Sequence, residues 1–130
     1  MGKKVLIIDD DEEYVAALTC MLETREYAVV SAHNGKTGIA LARTEDPDLV
    51  LLDNMMETDL EGFETARAFH ADPELKDIPI VMLTAMRNKM DLPFDVKPDG
   101  EWLPVKTVLS KPVSREVLLD TIERFILKAS

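Results

Sequence analysis

Five residues with chemically useful side chains each stand at the end of a short apolar run. They are Asp9, Asp10, Asp53, Thr84 and Lys111. If these runs are parallel strands of one sheet, the side chains converge at its carboxyl edge, which is where open α/β sheets bind ligands. Each residue taken alone is explained more simply by a helix cap, a turn or a solvated charge. The joint pattern is more specific, and it predicts one shared site.

Three carboxylates in one crevice repel one another, so protonation or a cation must neutralise them. Hard oxygen ligands favour Mg²⁺, with Mn²⁺ as a substitute. Beside such a cation, Asp53 could attack phosphorus and form an aspartyl phosphate. The Lys111 ammonium would offset charge on the phosphoryl oxygens, and the Thr84 hydroxyl could hydrogen-bond another of them. The predicted chemistry is phosphoryl transfer.

Short apolar runs alternate with amphipathic stretches along the chain. The runs predict strands over Lys4–Ile8, Ala28–Ala32, 49–52, 80–83 and Thr107–Ser110. The amphipathic stretches predict helices over Glu12–Glu23, 36–43 and 62–70, and a last helix from a Ser114 cap to about Leu127. This alternation argues for an α/β fold in which helices cover both faces of a parallel sheet.

The helices carry further expectations. Asp11 should cap the first helix and take no part in the chemistry. The last helix should turn one set of side chains inward: Val117, Leu118, Thr121, Ile122, Phe125 and Ile126. From Asn88 to Pro104 the helical periodicity is poor and prolines recur, so a fourth helix there must be short or broken.

Length and composition limit the classes of function. A chain of 130 residues suits one domain over 1–130. A formal net charge of −10 argues against direct binding of nucleic acid. No apolar run approaches the roughly 20 residues of a membrane span, and Cys20 is the single cysteine, so no internal disulfide forms. A cytoplasmic protein without membrane attachment is expected.

The chain resembles the receiver domains of two-component response regulators, including chemotaxis regulators, over nearly its whole length. The matching stretches are VLIIDDD at 5–11, PDLVLLD at 47–53, IPIVMLTA at 78–85 and LSKP at 109–112. The resemblance implies a flavodoxin-like (βα)5 fold, a doubly wound parallel sheet of five strands. It also implies that Asp53 accepts a phosphoryl group from a phosphohistidine on a sensor kinase or phosphotransfer protein, and that an unknown downstream protein responds.

The same resemblance implies roles for individual residues. Asp10 and Asp53 would bind Mg²⁺ directly, Met55 through its backbone carbonyl, and Asp9 through water. Thr84 and Lys111 would bind the phosphoryl group and carry the switch. Beyond its own phosphorylation and dephosphorylation, no enzymatic activity is implied.

Several positions depart from the family pattern. Glu57 replaces the usual proline after the acceptor, and Gly62 arrives one residue late. Val108 stands where the family usually has an aromatic residue, and the interval from Thr84 to Lys111 is longer than usual. The loop after Asp53 and the output face are therefore expected to differ from those of better-known relatives.

Three alternatives compete with a phosphorylated receiver. A haloacid-dehalogenase-type phosphatase would need a second aspartate where Met55 stands, which disfavours it. A flavodoxin or mononucleotide binder would need a Gly-, Ser- or Thr-rich loop where the chain has Asp9, Asp10 and Asp11. A receiver that binds its partner without phosphorylation remains open.

Overall fold

The computed structural model describes residues 3–53, 61–84, 105–111 and 113–126. These residues form five strands and four helices that alternate through most of the chain. In chain order they are β1 (Lys4–Ile8), α1 (Glu12–Glu23), β2 (Ala28–Ala32), α2 (Gly35–Glu45), β3 (Leu49–Asp53), α3 (Glu61–Ala71), β4 (Ile80–Thr84), β5 (Thr107–Ser110) and α4 (Arg115–Phe125).

The five strands form one sheet in the order β2-β1-β3-β4-β5, and every neighbouring pair is parallel. The chain leaves β1 for β2 on one side and then crosses back to β3 on the other. A topological switch point therefore lies between β1 and β3, and a crevice opens there at the carboxyl ends of the strands. The predicted doubly wound parallel α/β fold of the flavodoxin-like kind is confirmed.

Apolar side chains of the central strands alternate between the two faces of the sheet, as parallel strands covered on both sides require. On one face, Leu6 and Leu52 pack with Phe63 and Phe69 of α3, and Ala42 of α2 joins the same core cluster. On the other face, the core cluster gathers side chains from β1, β3, β4, α1 and α4, among them Ile7, Leu51, Val81, Leu18 and Ile122. The sheet is thus held rigidly between two helical layers, which fixes the positions of its strand ends.

Side-chain caps define where three helices begin. Asp11 accepts hydrogen bonds from the N–H groups of Glu13 and Tyr14, as predicted for α1. Ser114 caps α4, also as predicted, and accepts from the N–H of Val117. Asn34 caps α2 in the same way, so that helix begins at Gly35 and extends beyond the predicted 36–43. Each cap satisfies a backbone donor that would otherwise have no partner within its helix.

The prediction that Val117 faces the core is wrong. Val117 is 47% exposed, whereas Leu118, Leu119 and Ile122 of the same helix are buried. Successive helical residues are about 100° apart, so a side chain one position before Leu118 turns away from the sheet. The buried face of α4 is therefore rotated toward Leu119, which the predicted inner set did not include, and away from Val117.

Some sequence-based expectations fall outside the described residues. They concern Met55 and Glu57 in the loop after β3, the segment from Asn88 to Pro104 that would hold the short fourth helix, and Leu127 at the end of the last helix. Within the part of the chain that the structure describes, no helix combines the length and apolarity needed to cross a membrane.

Candidate functional site

Asp9 follows β1 directly and is held in place by its own backbone and its neighbours. Its N–H donates a 3.0 Å hydrogen bond to the carbonyl of Ala32, which extends the pairing of β1 with β2. One carboxylate oxygen, Oδ1, accepts a 2.9 Å bond from the N–H of Asp11, the residue that caps α1. Asp9 is only 2% exposed, so its charge lies in a crevice rather than in open solvent.

Asp53 is the last residue of β3 and meets Asp9 and Asp10 across the switch point. It is 4% exposed, whereas Asp10 is exposed. One carboxylate oxygen from each of the three residues lies within 4.8 Å of the others. This spacing is that of ligands around a single cation, and carboxylate oxygens are the donors that Mg²⁺ and Mn²⁺ prefer.

Lys111 enters the same crevice from the edge strand. Its N–H donates a 2.7 Å bond to the carbonyl of Thr84, which continues the pairing of β4 with β5. Its Nζ lies 2.8 Å from Oδ2 of Asp9 and 3.2 Å from Oδ1 of Asp53, and the side chain is 14% exposed. The ammonium thus bridges two carboxylates that come from different strands.

The electrostatics of this pair of contacts favour a charged lysine. Burial alone would lower the pKa of the Lys111 ammonium, but the hydrogen bonds and negative charges of Asp9 and Asp53 outweigh burial and raise that pKa above its ordinary value. Three carboxylates and one ammonium leave two formal negative charges in the crevice. One divalent cation would neutralise them.

Thr84 is the last residue of β4 and is 5% exposed. Its strand lies between β3 and β5, and Leu83, the residue before it, pairs with Asp53. The hydroxyl-bearing residue therefore stands at the same sheet edge as Asp53 and Lys111. Among the predicted site residues, only Met55 lies outside the described part of the chain.

Tyr14 is a site neighbour that the sequence patterns did not indicate. Its ring lies beneath the Lys111 ammonium, with Nζ 4.6 Å from the ring centroid. Its hydroxyl oxygen accepts a 3.4 Å hydrogen bond from the N–H of Val113. The sequence pattern predicts only a partly buried core residue at this position in the first turn of an amphipathic helix. The contacts of Tyr14 with the segment that follows β5 show what its ring faces.

The order of the strands and the residues at their ends agree with a known family of domains. The model of the response regulator receiver domain matches residues 5–123. This chain belongs to that family. It is a receiver domain of two-component systems, and the haloacid-dehalogenase and flavodoxin alternatives are set aside.

Known receivers resemble the chain both in sequence and in structure. Protein PilH from Pseudomonas aeruginosa is 39% identical over 119 residues, which are 92% of this chain and 93% of PilH. The chemotaxis protein CheY4 of Vibrio cholerae superposes with a TM-score of 0.81 at 27% identity and covers 97% of this receiver and 100% of its own chain.

A third resemblance concerns the receiver domain of the sensor histidine kinase PA1611 from Pseudomonas aeruginosa PAO1. Its TM-score is 0.80 over 96% of this chain and 98% of that one, and the identity is 22%. At this identity the likeness shows the shared fold alone. That structure holds a magnesium ion coordinated in its active site cleft.

Proposed function

We propose that this receiver accepts a phosphoryl group on Asp53 from a phosphohistidine of a sensor kinase or phosphotransfer protein. The observation that carries the proposal is the Lys111 ammonium, which contacts the carboxylates of both Asp53 and Asp9 in one buried crevice. A structural ion pair would need only one carboxylate. A second and a third carboxylate at the same point leave excess negative charge, which a bound cation would neutralise. A cluster of this kind in a crevice supports a functional role, here that of phosphoryl acceptor.

Mg²⁺ or Mn²⁺ would be held directly by the side chains of Asp10 and Asp53, by the backbone carbonyl of Met55, and by Asp9 through water. The donor set fits, because all are hard oxygens and the three carboxylate oxygens lie within 4.8 Å of one another. The magnesium ion in the PA1611 receiver supports the choice of metal. When bound, the cation neutralises charge that the incoming phosphoryl group and the carboxylates share.

The protein's own residues would carry the remaining work. A carboxylate oxygen of Asp53 attacks the phosphorus atom, the bond from phosphorus to the imidazole nitrogen breaks, and its electron pair stays on that nitrogen. The product on this chain is an acyl phosphate. The Lys111 ammonium is positioned to move from Asp53 to a phosphoryl oxygen, and the Thr84 hydroxyl donates to another.

The switch follows from this exchange of partners. Before transfer, Lys111 binds the carboxylates of Asp9 and Asp53. After transfer, the Asp53 carboxylate is esterified, and its negative charge lies on the phosphoryl oxygens, beyond the original carboxylate. Thr84 ends β4 and Lys111 directly follows the adjacent strand β5, so movement there alters the surface beside them. We assign this role to a single domain over 1–130 that acts in the cytoplasm. A downstream protein would bind the altered surface, and the domain would have no enzymatic activity beyond its own phosphorylation and dephosphorylation.

The test is incubation of the full chain with acetyl phosphate and Mg²⁺, followed by intact mass measurement. Wild type should gain about 80 Da, the mass of one phosphoryl group. The gain should vanish with EDTA and in Asp53→Asn. Asp77→Asn is a matched control, because this exposed aspartate precedes β4 at the opposite edge of the sheet and should leave the gain intact. A wild-type chain without the gain would contradict the proposal and favour a receiver that binds its partner without phosphorylation.

A further inference from the structure

Tyr14 lies at the start of α1, immediately beside the aspartates that follow β1. Its N–H donates a 3.1 Å hydrogen bond to Oδ1 of the capping residue Asp11. Its side chain is partly buried and packs against the core cluster that contains Ile7 and Leu83. The ring is therefore fixed both by the helix start and by the core, and it offers a rigid face toward the crevice.

The ring and hydroxyl of Tyr14 contact the chain on both sides of position 112. The ring faces the ammonium of Lys111 at 4.6 Å, and the hydroxyl oxygen accepts from the N–H of Val113 at 3.4 Å. The Lys111 distance is within the range in which the negative face of an aromatic ring attracts a cation. The Val113 distance is long, so the hydroxyl is the weaker of the two contacts.

Lys111 needs such a support because its side chain is long and flexible and would otherwise be held only by charge. Its other two partners, Asp9 and Asp53, both belong to the crevice in which a cation and a phosphoryl group would bind. The attraction of these carboxylates for the ammonium changes when the cation or the phosphoryl group binds. The attraction of the ring does not change, because an aromatic face carries no net charge and takes no part in the reaction.

We propose that Tyr14 is a positioning residue whose ring holds the Lys111 ammonium beside Asp53 before and during phosphoryl transfer. This inference rests on the proposed function. It assigns the role to the aromatic face rather than to the hydroxyl, so phenylalanine should replace tyrosine and leucine should not.

The test compares initial rates of phosphorylation by acetyl phosphate and Mg²⁺, followed by intact mass. Tyr14→Phe should stay within about twofold of wild type, whereas Tyr14→Leu should fall about tenfold, in line with a cation–aromatic contact in a partly desolvated site. Tyr27→Leu is the matched control. Tyr27 packs against the same core cluster but lies at the amino end of β2, away from the crevice, so its loss should leave the rate unchanged.

A double-mutant cycle separates positioning from general packing. In a Lys111→Met background the ammonium is absent, so Tyr14→Leu should lower the rate no further. If phosphorylation of Lys111→Met is too slow to follow, the same cycle on urea unfolding of the full chain gives the coupling. There, Tyr14→Leu should destabilise the wild-type background more than the Lys111→Met background.

Each outcome decides the inference. Equal rates for wild type and Tyr14→Leu, equal losses for the phenylalanine and leucine variants, or full additivity with Lys111→Met would each overturn it while leaving the proposed function intact. A wild-type chain that gains no mass would overturn the proposed function and this inference together. Selective loss in Tyr14→Leu, with rescue by phenylalanine and no additivity, would support it.

Discussion

The backbone N–H of Gly35 donates a 2.9 Å hydrogen bond to Oε2 of Glu61, so the first residue of α2 is tied to the first residue of α3. A carboxylate at this position also complements the positive end of the α2 dipole. The two helices approach so closely here that a Cβ atom on residue 35 would lie 2.0 Å from Oγ1 of Thr65. The approach of α2 and α3 therefore depends on a glycine at this point.

Gly35→Ala should lower the free energy of unfolding by about 1–3 kcal/mol, the usual cost of overpacking a tight contact. In an unobstructed helix the same change would stabilise by about 0.5–1 kcal/mol, so the sign of the effect reports the clash. Thr65→Ala in the Gly35→Ala background removes the clashing oxygen and should recover most of the loss. Urea unfolding of wild type, the two single variants and the double variant measures both effects, and a stabilised Gly35→Ala would contradict the close approach.

Asp10→Asn should have opposite effects with and without divalent cations. Within the described residues, Asp10 forms no salt bridge, yet its carboxylate lies near those of Asp9 and Asp53. Without cations, the change removes repulsion and should raise the free energy of unfolding by about 0.5–1 kcal/mol. With Mg²⁺, the variant should gain less stability than wild type, because it has lost a ligand.

The adjacent Asp11→Asn is the matched control for Asp10→Asn. Asparagine caps a helix as well as aspartate does, so α1 should be preserved and the Mg²⁺ response should be that of wild type. Thermal unfolding in EDTA and across a Mg²⁺ titration measures all three chains. An Asp10→Asn variant with an unaltered Mg²⁺ response would show that Asp10 is no ligand.

Lys111→Met should destabilise the protein strongly when no divalent cation is present. The change leaves the buried carboxylates of Asp9 and Asp53 without their ammonium partner, and loss of one member of a buried ion pair costs about 3–5 kcal/mol. Mg²⁺ should restore more stability to this variant than to wild type, because it meets one more uncompensated charge. Lys76→Met, at an exposed position, should change neither the free energy of unfolding nor the stabilisation by Mg²⁺. A smaller Mg²⁺ response in Lys111→Met would argue against the shared site.

Asp72 should contribute a pH-dependent part of the stability. The hydrogen bond from the Arg43 guanidinium, aided by the N–H of Glu74, holds the pKa of Asp72 below its ordinary value of 3.8. A carboxyl group with a lowered pKa in the folded state stabilises the fold above its unfolded pKa, and loses that effect as pH falls through its folded pKa. The difference in unfolding free energy between wild type and Asp72→Asn should be constant above about pH 5 and shrink below 3.8.

Urea unfolding of both chains from pH 6 to pH 3 measures this difference. The prediction fails if Asp72→Asn and wild type differ by the same amount across the whole range. Arg43→Gln offers a second test, because it removes the guanidinium that lowers the Asp72 pKa most and should reduce the pH-dependent stability to the part that the N–H of Glu74 sustains.

The carboxyl edge of the sheet could be predicted because four of the five strands, all but β2, are marked twice in the sequence, by an apolar run and by the polar residue that ends it. For this reason the sequence predicted both the positions of Asp9 and Asp53 and the parallel arrangement that brings them together. The contact between Lys111 and Tyr14 could not be predicted from the sequence. It depends on where the edge strand lies relative to α1, and no periodic pattern of either segment encodes that distance.

Helix ends and faces were predicted less well than strand ends. The start of α2 depends on the side chain of Asn34, which accepts from the N–H of Thr37 and lets the helix begin before Lys36. Val117 and Leu119 are both apolar, but the orientation of α4 on the sheet buries Leu119 and leaves Val117 exposed. An apolar side chain tends to be buried, but the packing of the helix against the sheet determines which apolar side chains are buried.

Asp9 and Lys111 are 102 positions apart, and the strand that precedes the lysine is the last of the five that the structure describes. During synthesis, Asp9, Asp10 and Asp53 are all present well before Lys111, whose ammonium offsets part of their charge in the folded protein. The ion pairs that join the ends of β1 and β3 to Lys111 can therefore form only once most of the chain is available, and a nascent chain that stops before residue 111 lacks this link between the central strands and the edge of the sheet.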